Sequence, residues 1–280
     1  GRVSLQKLIL SDPRTLVKDI FDDDVVSVET YMSDREVAEI MRKYDLESVP
    51  VVNVQRQLVG RITIDDVVDV VNEEATEDIQ KLGGTEALDA PYLDVSFWEM
   101  IRKRAGWLTV LFVGEMFTAT AMAFFEDEIS KAVVLALFIP LIISSGGNSG
   151  SQATTLVIRA MALGEVKLGD WWRVVRREIT TGLAMGAILG LIGFGRIELW
   201  QFLFHTYGTH HLVVALTIGS AVVGVVTWGT VAGSMLPFAL RRVGLDPASA
   251  SAPFVATLVD VTGIVIYFSI ASLILHGTLL

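Results

Sequence analysis

The chain has 280 residues, 52% of them hydrophobic, no cysteine and a net charge of −10. The lack of cysteine excludes a disulfide framework and fits a reducing compartment. Residues 1–100 carry 22 acidic against 10 basic side chains, whereas residues 101–280 carry 10 against 12. So acidic a segment argues against nucleic acid and anionic lipid as partners and in favour of cations; charge alone leaves a solubilising surface equally open.

The opening phrase GRVSLQKLIL lacks the basic-then-apolar pattern of a secretory leader and reads as a chain entered inside a domain. Val25, Val26 and Val28 form an apolar stretch before a helix expected from Ser33, a good N-cap, with Val37, Ile40 and Met41 at helical spacing. Two Val/Ile-rich strands at 49–54 and 58–64 flank the polar turn Gln55-Arg56-Gln57, and a helix is expected from Asp65. This order, with the phrases SVPVVN and LVGRITIDD, resembles a CBS module over residues 17–72. GRVSLQKLIL is similar to GRITIDDVVD, so residues 1–16 read as the tail of a preceding repeat. Residues 73–99 read as an acidic linker, helical at first. In it Glu73/Glu77 and Glu74/Asp78 are like charges at i,i+4, each costing a helix roughly 0.2–0.5 kcal/mol unless a cation lies between them.

Residues 100–280 read as five transmembrane helices at about 107–125, 132–160, 178–204, 211–239 and 249–275, each near the ~20 residues a bilayer requires. Arg102, Lys103 and Arg104, then Lys167, Arg173, Arg176 and Arg177, then Arg241 and Arg242 fall in alternate loops. The N-terminal module is therefore expected in the cytoplasm and the C-terminus outside. The fold class is a polytopic α-helical membrane protein with a small α/β CBS-type cytoplasmic domain.

Ionisable residues at membrane depth are functional candidates. Asp260 falls near the middle of the fifth helix, with the small residues Ala256, Thr257 and Gly263 on its face and Pro253 beyond them. Pro253 cannot donate to the helix ladder, so a carbonyl one turn earlier is expected to be free. A carboxylate beside loose backbone oxygens suits a hard cation; the other reading is a protonated Asp used for packing. Glu115, in the middle of the first helix, divides evenly between a pathway role and a helix-orienting hydrogen bond. Glu178, beside Arg176 and Arg177, reads as an interfacial ion pair. The second helix is expected to be interrupted by IISSGGNSGSQATT, residues 142–155. There Asn148, Ser149, Ser151, Gln152 and Thr155 can line a pore, or the small residues can pack helices. Asp246, in the loop RRVGLDPA, faces the same side as the linker and can close a metal site with Glu74 and Asp78.

GGNSGSQ, LPFALRRVGLDPA and PFVATLVDVTG closely resemble the MgtE family of magnesium channels, over nearly the whole chain. The resemblance implies a homodimer in the plasma (inner) membrane, with an N-terminal helical domain and most of a first CBS repeat missing here. It implies that Asp260 holds the pore ion with the Ala256 backbone close by, and that the second and fifth helices line the pore. Asp246, Glu74, Asp78 and Glu86 correspond to regulatory magnesium ligands, and Thr63 and Asp66 fit a CBS nucleotide site for ATP. Ala252 departs from members with a polar residue before the proline.

Magnesium dehydrates reluctantly, so two Asp260 carboxylates, one per subunit, suit a mostly hydrated ion. The expected gate is magnesium drawing acidic linkers together. A coupled exchanger of a divalent cation for Na⁺ or H⁺, with Glu115 as its coupling group, is the alternative. An intramembrane aspartyl protease needs two carboxylates sharing a proton, and the span holds one Asp per chain. A pure nucleotide sensor would not need five helices.

Overall fold

A computed structural model describes residues 1–276 and divides into two units, Gly1–Thr76 and Glu77–Leu280. In the first, helix α1 (Leu5–Leu10) starts at Ser4, whose Oγ accepts from the Lys7 amide at 3.2 Å. Strand β1 (Val28–Glu29) is followed by α2 (Asp34–Lys43), β2 (Ser48–Val52) and β3 (Leu58–Thr63). The sheet order is β1-β2-β3, with β1 parallel to β2 and β2 antiparallel to β3.

Local chemistry explains each boundary. Ser33 caps α2 in a full capping box: its Oγ accepts from the Glu36 amide while Glu36 accepts from the Ser33 amide at 2.9 Å. The hydrogen bonds of that box, the one from the Ser33 backbone first, hold the Glu36 carboxyl below its usual range. Between β2 and β3, Asn53 Oδ1 accepts from the amides of Gln55 at 3.0 Å and Gln57 at 2.9 Å, and Arg56 takes a left-handed φ of 57°. Val28, Val37, Met41, Val49 and Val67 fill the core between sheet and helices.

Helix α3 runs unbroken over Ile64–Leu82, begun by Asp66 accepting from the Thr63 amide and hydroxyl at 3.1 and 2.9 Å. The helix expected from Asp65 and the helical start of the linker are thus one element. The like-charge pairs do not break it, because Lys81 answers Glu77 at i,i+4 with a 2.6 Å ion pair. The helix stops where Gly84 adopts φ 76°.

The second unit holds the long helices: α4 (Phe97–Phe124), the short α5 (Glu126–Lys131) and α6 (Val133–Ala136), α7 (Ile139–Ala162), α8 (Trp171–Phe204), α9 (His211–Arg242) and α10 (Ala252–Leu275). Among the described residues five spans are long and apolar enough to cross a membrane. Helices α4 and α8 begin about ten and seven residues earlier than expected. Ser96 caps α4, so Arg102, Lys103 and Arg104 ride on a helix and not in a loop. Glu178 accordingly lies two turns inside α8. Arg176 and Arg177 are at i−2 and i−1, which do not face it, and no ion pair of Glu178 occurs among the described residues.

The expected interruption at residues 142–155 does not occur. That stretch is helical within α7, and the break comes earlier, around Leu137 and Phe138 before Pro140. The glycines serve close helix approach. A methyl on Gly229 would lie 2.3 Å from the Gly146 carbonyl oxygen, and one on Gly233 2.2 Å from that of Gly150. Thr154 Oγ1 donates to the Gly233 carbonyl at 2.7 Å across the same contact. Helix α8 packs on the other side of α9 in the same way, with Gly182, Gly186 and Gly190 against Thr227, Val223 and Gly219. Val255, Val259, Gly263, Ile264, Tyr267 and Phe268 turn one face of α10 into this interior, where Tyr267 OH donates to the Leu135 carbonyl at 2.8 Å.

Candidate ion site

Helix α10 begins at Ala252, with Ser251 as N-cap accepting from the Phe254 amide at 3.3 Å. Pro253 is therefore in the first turn, where its missing N–H would have been unpaired anyway. This corrects the expectation of a carbonyl freed by Pro253 inside the helix. The Ala252 carbonyl accepts from Ser151 Oγ of α7 at 3.2 Å.

Asp260 is the ninth residue of α10, half-buried, and the helix carries no other charged residue. The Glu115 carboxyl of α4 lies against it at hydrogen-bonding range. The two helices meet tightly there: a methyl on Gly114 would come 2.7 Å from Thr257 Cγ2. Carboxylates only accept hydrogen bonds, so this contact calls for a proton or a cation between the oxygens. Ala256, one turn before Asp260, rests on Gly147 of α7, where an added methyl would be 3.5 Å from the Ala256 Cα. Three helices thus converge on one half-open carboxylate pair.

The other expected pore residues separate into two groups. Asn148, Gln152 and Thr155 form an exposed stripe on α7. Asn148 Nδ2 donates to Ser144 Oγ at 3.4 Å, and Thr155 Oγ1 to the Ser151 carbonyl at 2.9 Å. Ser151, Gln152, Thr155 and Leu156 border an open hollow of about 450 Å³. Ser149 is buried with its Oγ unpaired among the described residues. Gly263 is buried too, with Ile143 and Val225 at 3.0 and 3.2 Å from the position of an added methyl.

Of the expected regulatory ligands, Glu74 and Asp78 stand one turn apart on α3, and Glu86 is exposed in the segment after it. Asp246 accepts from the Ala248 amide through Oδ1 at 2.9 Å and from Lys81 Nζ through Oδ2 at 2.7 Å. Burial pulls the Lys81 pKa down, but its bonds to Asp246 and Glu77 outweigh that, so the net shift is upward and the ammonium is reinforced. Among the described residues no three Asp, Glu or His side chains converge into a metal cluster. Thr63 and Asp66, the expected nucleotide contacts, are bonded to each other at the start of α3.

Three contributors escaped sequence reasoning. Lys103 is only 6% exposed; it donates to the Ala87 carbonyl and to Asp89 at 2.6 Å, pinning residues 87–89 on α4. Trp107 Nε1 donates to Ser251 Oγ at 3.0 Å. Lys81 had a legible signal, since Glu77 and Lys81 form an i,i+4 pair of the favourable order. The Glu115–Asp260 and Lys81–Asp246 meetings join residues far apart in sequence, and no spacing rule announces them.

Residues 139–270 match the MgtE family model, described as divalent cation transporter, and residues 17–73 match the CBS domain. Over 277 residues the chain is 40% identical to the magnesium transporter MgtE of Thermus thermophilus, 36% to that of Enterococcus faecalis and 30% to that of Bacillus subtilis. Each match takes in 99% of this chain and 60%, 58% and 59% of the respective relative. The chain therefore spans about 60% of the length of the curated relatives it matches.

Proposed function

We propose that this multi-pass membrane protein conducts magnesium, with Asp260 holding the ion in the pore, a reading supported by the match of residues 139–270 to the MgtE divalent cation transporter model and of residues 17–73 to the CBS domain. The observation that carries the reading is the half-open Asp260 carboxylate in an otherwise uncharged helix, with Glu115 against it and Ala256 on Gly147. Hard oxygen ligands that leave part of the shell to water suit an ion that dehydrates reluctantly, and partial ligation lets it leave. The exposed polar stripe of Asn148, Gln152 and Thr155 on α7 supports a water-lined path. Ser149 and Gly263, buried within one chain, serve packing in this reading.

The protein acts as a homodimer in the plasma (inner) membrane, each chain supplying one Asp260. The acidic module lies in the cytoplasm and the C-terminus outside, a reading supported by the basic residues gathered at alternate ends of the spans. Cytoplasmic magnesium bound by Glu74, Asp78, Glu86 and Asp246 draws the linker onto the pore domain and closes it. ATP acts as a regulator through Thr63 and Asp66, the two polar side chains where β3 enters α3. The packing of Glu115 on Asp260 also favours a second reading, exchange of a divalent cation for H⁺ or Na⁺, because such a pair can hold a proton or a cation.

Magnesium flux into proteoliposomes, wild type beside Asp260→Ala and Asp260→Asn, tests the proposal. Loss of at least about tenfold in both, worth roughly 1.4 kcal/mol at the barrier, is expected. Two variants conducting as wild type does would remove Asp260 from the pathway. Flux that follows an imposed H⁺ or Na⁺ gradient, and loses that response in Glu115→Gln, would replace the channel with an exchanger.

A further inference from the structure

Lys81 Nζ lies 2.6 Å from Glu77 Oε1 on α3 and 2.7 Å from Asp246 Oδ2 in the α9–α10 loop. Both carboxylates and the Lys81 side chain between them are partly exposed. The loop side is rigid. Asp246 Oδ1 accepts from the Ala248 amide, and Ala248 and Ala250 pack in one apolar cluster with Ile158 of α7. Leu82, the residue after Lys81, packs into that same cluster. Leu82 and Lys81 thus both join the last turn of α3 to the pore domain.

We infer that Lys81 is a tethered cationic latch, taking the place of a divalent ion between Glu77 and Asp246 and thereby setting how much magnesium the linker needs in order to dock. This deepens the gating reading above and rests on it. Two carboxylates brought together without a cation repel, so the docked turn requires positive charge at this point. An ammonium supplies one charge and three donors on a flexible four-carbon stem. A magnesium ion supplies two charges, but it cannot share the spot with the ammonium, since like charges a few ångströms apart repel. Lys81 also borders a cavity of about 290 Å³, lined in part by Glu86, Gly106, Trp107 and Ser249. That space leaves room for the Lys81 side chain to swing away from the two carboxylates.

The test is hydrogen–deuterium exchange of amides 77–90 in nanodisc-held protein, with chelator and through a magnesium titration, for wild type, Lys81→Gln and Lys81→Arg. In chelator, Lys81→Gln is expected to exchange about fivefold faster than wild type, the modest effect of two partly exposed ion pairs. Saturating magnesium should restore its protection to the wild-type level, and Lys81→Arg should keep protection in chelator. Wild-type exchange by Lys81→Gln in chelator would overturn the latch. Fast exchange that persists at saturating magnesium would equally overturn it, because the metal would then not replace the ammonium. Magnesium inhibition of flux is read separately: its absence in wild type removes the gating reading and leaves the exchange results to decide the docking contact.

Discussion

Gly233→Ala puts the packing role of the glycine-rich α7 under direct strain. The new methyl would sit 2.2 Å from the Gly150 carbonyl oxygen and 2.8 Å from Thr154 Oγ1. The first of these is backbone and cannot rotate away, so α7 and α9 must separate by about 1 Å to reach ordinary contact. That separation stretches the 2.7 Å bond from Thr154 Oγ1 to the Gly233 carbonyl beyond hydrogen-bonding range. Overpacking costs about 1–3 kcal/mol, and the interhelical hydrogen bond about 0.6 kcal/mol more. Alanine returns up to about 1 kcal/mol through its better helix propensity. The net destabilisation is about 1–3 kcal/mol. Thermal unfolding of the detergent-solubilised protein, followed by tryptophan fluorescence, should register a fall of roughly 2–10 °C. Gly195→Ala is the control, because nothing lies within 4 Å of a methyl there; it should melt no lower than wild type. If Gly233→Ala melts with Gly195→Ala, the seam between α7 and α9 is not tight and the account of residues 142–155 is wrong.

Lys103→Met leaves the partly buried Ala87 carbonyl without its Lys103 donor and should cost about 1 kcal/mol, read as a lower melting temperature and faster amide exchange at 86–90. Asp89→Asn should cost less than about 1 kcal/mol, since Asp89 is 78% exposed. The capping box of α2 predicts a pH response. The Glu36 carboxyl is held below its ordinary value of 4.5, so its contribution is present above that value and is lost as the pH falls through the lower folded value. Protection of α2 amides, corrected for intrinsic exchange, should fall over that acidic window in wild type and stay flat in Glu36→Gln.

The elements most legible in the sequence were those governed by neighbours along the chain. Ser33 as an N-cap, the polar turn Gln55-Arg56-Gln57 and the long apolar spans each carry their own signal, and the CBS domain and five membrane-length helices among the described residues follow from them. Residues 142–155 misled because glycine lowers helix propensity in water, whereas in α7 it admits the backbone of α9, a tertiary gain that propensity cannot register. Pro253 misled for a different reason. Its effect depends on whether it falls in the first turn or the interior, and the Ser251 cap decides that. Of the candidate site, the sequence offered single residues, Asp260, Glu115 and Asp246. Their partners were not legible, because Glu115 reaches Asp260 and Lys81 reaches Asp246 only through the packing of distant helices.

The two glycine seams of α9 have a mechanical consequence. With α7 fitted backbone to backbone on one flank and α8 on the other, α9 is the keystone of an arch: any rotation drives a carbonyl or a Cβ into a neighbour on both sides. Helix α4 has little of its surface buried and touches α10 through the small notch at Gly114 and Thr257. Deformation therefore concentrates where the masonry is loosest, at the hinge of α4 on α10. Glu115 rides on that outer helix, so a small swing of it suffices to change the Glu115–Asp260 contact while the frame behind stays still.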